Sequence, residues 1–141
     1  MIEPVHSLAT YQREAVAALA GTIVEVARRI DARPGERRAI GLRNGAMLLE
    51  APTGSGKTLM LGRALEAGVG ALPARTVWFW FTPFGGLVAQ TREALAAQCP
   101  RLTLRDLTVD RSAAASRDGD VFVSTWSLVA TNNPRAPRPH G

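Results

Sequence analysis

Residues 46–58 read Ala46-Met-Leu-Leu-Glu50 followed by Ala51-Pro-Thr-Gly-Ser-Gly-Lys-Thr58, and their order decides the fold. The first five are short and apolar, stand between Gly45 and Pro52, and predict a buried strand. Glycines at 54 and 56 then let the backbone curl so that successive N–H groups point inward, and a helix is expected from about Lys57 to Ala67. Strand, glycine-rich turn and helix in that order make a phosphate cradle, because the positive end of the helix dipole adds to the converging amides. Thr53, Gly54, Ser55, Gly56, Lys57 and Thr58 are therefore the candidate nucleotide-binding residues. In such a loop the lysine reaches the β- and γ-phosphates and the hydroxyl of Thr58 is a ligand of Mg²⁺, which makes ATP and Mg²⁺ the expected cofactors. An ordinary turn would need the glycines but not the lysine and threonine behind them. The departure from the general pattern is Ala51, where a first glycine is usual.

Composition sharpens the weight of that lysine. Of the 17 basic side chains in the 141 residues, Lys57 is the one lysine and the other 16 are arginines. The net charge of +5 is spread along the chain, and no basic run exceeds the pairs Arg28-Arg29 and Arg37-Arg38, so the charge by itself does not predict a nucleic-acid surface. A chain of this length buries roughly 68% of its unfolded surface, enough for one core. With 46% hydrophobic and 21% charged residues it reads as globular, with no apolar run long enough to cross a bilayer. Cys99 is the single cysteine, which excludes a disulfide framework within the chain and any site needing several thiolates. No signal-peptide pattern opens the sequence, and a cytoplasmic, non-membrane protein is expected.

Working outward, Leu8, Tyr11, Ala15, Leu19, Ile23, Val26 and Ile30 recur every three or four residues and predict an amphipathic helix over about 8–30, capped by Ser7 or Thr10. Pro34 and Gly35 break it. Downstream, Thr76 to Phe81 predicts a strand whose aromatic residues Trp78, Phe79, Trp80 and Phe81 belong to the core rather than to a base-stacking surface. A helix from Leu87 to Gln98, a strand within Leu102–Val109 and a strand over Val121–Ser124 complete the alternation. Alternating strands and helices predict an α/β fold with a mostly parallel sheet and helices on both faces, occupying residues 1–130. Residues 131–141, with prolines at 134, 137 and 139, are expected to be a disordered tail.

The loop Ala51–Thr58 resembles motif I of superfamily 2 helicases and translocases, where alanine commonly replaces the first glycine. Three further stretches resemble elements of that family in the same order. Thr10-Tyr-Gln-Arg-Glu-Ala15 is similar to an upstream element whose glutamine contacts adenine, which the resemblance assigns to Gln12. Thr82-Pro-Phe-Gly-Gly-Leu-Val-Ala-Gln90 looks like motif Ia, which lines the nucleic-acid track and implies Thr82, Pro83 and Gln90 as contacts. Asp120-Val-Phe-Val-Ser-Thr-Trp126 resembles the strand whose closing threonine, here Thr125, touches the nucleic-acid backbone.

The combination is closest to the Res subunits of type III restriction enzymes among the DEAD/DEAH-type helicase-like ATPases. It covers about residues 8–130, the N-terminal part of a first RecA-like lobe of the P-loop NTPase type. The resemblance implies DNA as a partner of the full protein and a second motor lobe. It also exposes a gap: the family places a DExx pair after the threonine strand and an arginine finger in the second lobe, yet no acidic residue follows Trp126. Asp106, Asp110, Asp118 and Asp120 all precede Thr125. ATP binding with little or no hydrolysis is therefore expected of this chain, as the front part of an incomplete lobe. The alternatives are a non-catalytic nucleotide-binding module completed by another chain, a different P-loop motor such as a secretion or DNA-packaging ATPase, or an unstable fragment.

Overall fold

The computed structural model describes residues 7–107, 109 and 113–131. Helix α1 (Thr10–Ala32) is followed by a 3-10 turn (Pro34–Glu36), α2 (Arg37–Asn44), α3 (Lys57–Gly68), β1 (Trp78–Thr82), α4 (Gly85–Gln98), β2 (Thr103–Arg105), a second 3-10 turn (Ala113–Ala115), β3 (Asp120–Thr125) and α5 (Trp126–Thr131). The three strands form one wholly parallel sheet in the order β1-β3-β2, with Trp78 opposite Val121 and Thr82 opposite Thr125. The chain is thus α/β, as expected from its alternating pattern.

The period-two alternation of strands sorts the sheet into two unlike faces. Trp78, Trp80, Val121, Val123 and Leu104 point to one side, where Leu65 of α3, Leu95 of α4 and Cys99 just after α4 close over them as the core. Helix α1 lies outside α3, packing Leu19 and Ile23 inward. The approach of α3 to α4 depends on Gly62: a Cβ there would lie 2.6 Å from Leu95 Cδ2 and 2.8 Å from Cys99 Sγ.

The opposite face corrects the expectation of helices on both sides. Phe79 and Phe81 are 54% and 39% exposed, whereas Asp120, Phe122 and Ser124 of β3 on that face are buried. Phe79 stacks on Phe122 at 5.3 Å between centroids, and Trp126 of α5 meets Phe81 edge-on at 5.1 Å. The prediction that all four aromatics of β1 are core therefore holds for the tryptophans and fails for the phenylalanines, because among the described residues their face meets only the edge contact of Trp126 from the short helix α5.

Five other expectations change. Ala46–Glu50 is extended but pairs with no strand, leaving Met47 and Leu48 exposed. The third strand shrinks from Leu102–Val109 to Thr103–Arg105, with Thr108 outside the described residues. The break after α1 is not a loop throughout, since Arg37–Asn44 forms α2. The cap of α1 is Ala9 rather than Ser7 or Thr10, its N–H donating to Gln12 Oε1 at 2.9 Å. The expected tail from 131 overlaps α5 at Thr131, and its remainder lies outside the described residues. No helix among the described residues is long and apolar enough to cross a membrane.

Candidate functional site

The loop Thr53–Gly56 and the first turn of α3 form the site. Gly54 and Gly56 have φ of +81° and +85°, left-handed values that a side chain would oppose, so the two glycines are what let the chain double back. The turn is closed by the Ser55 amide donating to Pro52 O at 3.1 Å, and the helix begins with Met60 N–H donating to Gly56 O at 2.9 Å. Between these bonds, the amides of Gly54, Gly56, Lys57, Thr58 and Leu59 find no acceptor among the described residues. Gly56 offers no side-chain cap to the helix, so the positive end of its dipole is uncompensated by the protein. The Ser55 hydroxyl is likewise buried without a partner. Lys57 is exposed at the start of α3, and no hydrogen bond or ion pair engages it among the described residues.

The N-terminus of α1 buttresses this loop. Gln12 Nε2 and the Tyr11 hydroxyl both donate to Ser55 O, each at 3.0 Å. A Cβ at Gly56 would lie 2.7 Å from Gln12 Nε2, so glycine at 56 is needed for contact as well as for backbone conformation. Gln12 thus reaches the candidate loop across 43 residues of sequence. One amide proton of Gln12 and one lone pair of its Oε1 stay uncommitted, the donor–acceptor pair that an adenine edge requires. Tyr11 was grouped by sequence with the apolar stripe of α1; its adjacency to Gln12 was the available signal for its second role.

The nucleic-acid candidates divide. Thr82 and Thr125 are register partners at the C-terminal ends of β1 and β3, with Pro83 following directly. Both hydroxyls serve local turns: Thr82 Oγ1 donates to Phe84 O at 3.2 Å, and Thr125 Oγ1 accepts from Leu128 N at 3.3 Å. Pro83 and Gln90 are exposed, Gln90 on α4.

The acids sit far from the loop. Trp80 and Lys57 line one cavity, while Gly68 packs by Trp78, so α3 runs antiparallel to β1 and its N-terminus lies at the C-terminal end of the strands. Asp118 and Asp120 belong to the other end. Asp118 accepts from Gly70 N and Thr76 N, each at 3.0 Å, tying the α3–β1 connection to the start of β3. Asp120 is buried, accepts from Arg117 N at 2.8 Å and faces Arg105 at 3.9 Å. These carboxylates hold loops and cannot meet Thr58. Asp106 is exposed after β2, and Asp110 lies outside the described residues. No cluster of three or more metal-ligating side chains occurs among the described residues.

Cys99 is chemically quiet. Burial, reinforced by the Glu66 carboxylate and partly opposed by Arg63, pushes its thiol up to about 11. Because the folded state holds this proton more tightly than the unfolded chain, stability contributed by the thiol is intact below pH 9 and is lost as pH rises toward 11. Native protein at pH 8 is expected to react with iodoacetamide at least about 100-fold more slowly than urea-unfolded protein, since the thiolate is the nucleophile; equal rates measured by mass spectrometry would contradict the burial.

No family model, curated protein or solved structure matches this chain, so what the site can do is argued from its own residues.

Proposed function

We propose that this chain binds a nucleoside triphosphate, ATP with Mg²⁺, through Thr53–Thr58, as the N-terminal portion of a DNA-dependent ATPase lobe similar to those of superfamily 2 motors and type III restriction Res subunits. The observation that carries the reading is that five amides with no acceptor among the described residues, an exposed Lys57 and Thr58 follow two left-handed glycines at the start of a helix. A polyphosphate supplies the acceptors those amides lack and the charge that Lys57 and the helix dipole attract. Thr58 offers Mg²⁺ one oxygen, and the phosphates with water supply the rest in the absence of a nearby carboxylate. Tyr11 and Gln12 hold the loop in its curled form, and the free edge of the Gln12 amide supports adenine over other bases.

Hydrolysis needs groups that the described residues do not bring to this loop: an acid beside the metal, a group to orient water, and a second cation for the developing charge. Binding without sustained turnover follows. A specific observation favours completion by another chain over self-sufficiency, namely that the described acids near β3 are committed at the far end of the sheet. DNA contact through Pro83 and Gln90, a partner carrying the second lobe, and a cytoplasmic site of action belong to the same reading.

Titration calorimetry of the purified chain with ATP, in the presence of Mg²⁺ and then of EDTA, tests this. Binding of one ATP, weakened when Mg²⁺ is removed, is expected, with phosphate release indistinguishable from a buffer control. No heat of binding overturns the assignment, and steady release at a motor-like rate that Lys57→Ala abolishes overturns the claim of an incomplete site.

A further inference from the structure

The corner where α1 gives way to α2 gathers most of the chain's net charge. No basic run there exceeds a pair, yet residues 28–44 hold six arginines against Asp31 and Glu36, a net of +4 in a chain of +5. The 3-10 turn Pro34–Glu36 brings α2 against the end of α1, so guanidiniums separated in sequence become neighbours. Arg29 and Arg33 from one wall and Arg43 from the other line a single cavity of about 400 Å³. Arg29 also donates to Asn44 Oδ1 at 3.4 Å, which ties the two walls together. Ala32, Ala39 and Ile40 give the cavity an apolar part, and the acid that lines it, Glu36, is held by Arg33 at 3.5 Å.

Left to itself, this corner is electrostatically unfavourable. Glu25 and Glu36 pair with Arg29 and Arg33, while Arg28, Arg37, Arg38 and Arg43 have no hydrogen-bond or ion-pair partner among the described residues. Arg37 and Arg38 stand in the first turn of α2, where the helix dipole disfavours positive charge. Helix α2 buries none of its residues, so packing does little to hold these like charges together. An anion bridging the two walls relieves the repulsion and accepts the guanidinium hydrogen bonds.

We propose that the cavity between α1 and α2 binds a compact small molecule carrying phosphate groups on opposite sides of its carbon skeleton, a polyol polyphosphate in chemical class. Phosphate esters match the charge better than carboxylates, because each brings about −1.5 to −2 at neutral pH. Arginines on both walls call for anionic groups that diverge, whereas a linear triphosphate presents its charge along one line. The volume falls within the roughly 300–1,000 Å³ of small-molecule sites, and the apolar lining meets the carbon skeleton. This site stands apart from Thr53–Thr58, since Arg29 lies about 25 Å along α1 from Gln12, the residue that touches the loop. It does not rest on the nucleotide reading.

The test is calorimetric titration of the full chain with myo-inositol hexakisphosphate at about 0.15 M salt, where long-range attraction between exposed charges is screened. One-to-one binding is expected, weakened at least about tenfold in Arg33→Gln/Arg43→Gln, which loses two charge-assisted contacts. It is expected to be unchanged in Lys57→Ala and weakened no more than about twofold in Arg28→Gln/Arg37→Gln, which loses the same charge outside the cavity lining. All these side chains are exposed, so the ligand-free variants keep the native unfolding temperature. No binding at millimolar ligand, loss of binding in Lys57→Ala, or equal weakening in the two arginine pairs each overturns the proposal, the second by giving the phosphates to the loop and the third by reducing the site to diffuse charge. Displacement of the ligand by an equal or lower concentration of a hexaglutamate peptide or of a short single-stranded DNA also overturns it, handing the corner to an acidic partner or to nucleic acid. Mg-ATP titrated into the same proteins keeps the two sites apart: its failure to bind removes the function proposed above and leaves this cavity standing.

Discussion

Lys57→Ala weakens Mg-ATP binding on the order of 100-fold, about 2.7 kcal/mol, and leaves the unfolding temperature of the nucleotide-free chain unchanged. The two halves of that expectation have separate causes. The ammonium is exposed and engages no described residue, so its removal leaves no buried group unpaired and opens no cavity. Its contribution appears only when a polyphosphate arrives, as charge-assisted hydrogen bonds added to those of the free amides. Thermal denaturation displays both effects together: at ATP a hundred times its dissociation constant the native chain gains about 2.7 kcal/mol, and the variant gains about 0.4 kcal/mol at the same concentration. Equal stabilisation of both proteins by Mg-ATP would show that nucleotide sits elsewhere. A lower unfolding temperature for the ligand-free variant would show that Lys57 carries a structural load.

Leu95→Ala has the opposite signature, destabilising the free chain by about 3–4 kcal/mol and lowering its unfolding temperature by about 10 °C. Leu95 is 1% exposed, belongs to the cluster that joins α3, α4 and β3, and fills the space Gly62 leaves open on α3. Truncation removes three carbons there, and the close approach of the two helices limits how far the cavity can collapse. A chain of this size has total stability of about 7–20 kcal/mol, so the loss is a large share of it. Urea denaturation measures the effect; a change under 1 kcal/mol would mean that the α3–α4 seam is looser than its contacts indicate.

Sequence made some of this chain legible for reasons that can be stated residue by residue. The cradle was readable because its requirements are local: left-handed glycines at 54 and 56 and a helix opening at Lys57 are properties of eight consecutive residues. The parallel sheet was readable from alternation alone. Ala46–Glu50 was misread because apolar character reports a capacity to be a strand, whereas being one requires a neighbour to accept its hydrogen bonds, and none is present among the described residues. Phe79 and Phe81 were misread for the same reason on a different surface: their alternation with Trp78 and Trp80 says that the strand has two apolar faces, not that both are covered. Helix α2 was hidden by Pro34 and Gly35, which terminate α1 without forbidding a new helix one turn later. The acids near β3 could not be sorted by spacing, since Asp118 does its work on Gly70 and Thr76, more than 40 residues earlier.

The two hydrogen bonds from Tyr11 and Gln12 converge on a single carbonyl, that of Ser55, and they are made by the first turn of a 23-residue helix. Helix α1 is thereby a rigid rod about 34 Å long, pinned by one end to the loop. Its flank packs Leu19 and Ile23 toward α3, so the loop and the core hold the same helix at two places. The peptide group at the candidate phosphate site and the outer layer of the core are thereby joined through one continuous helix.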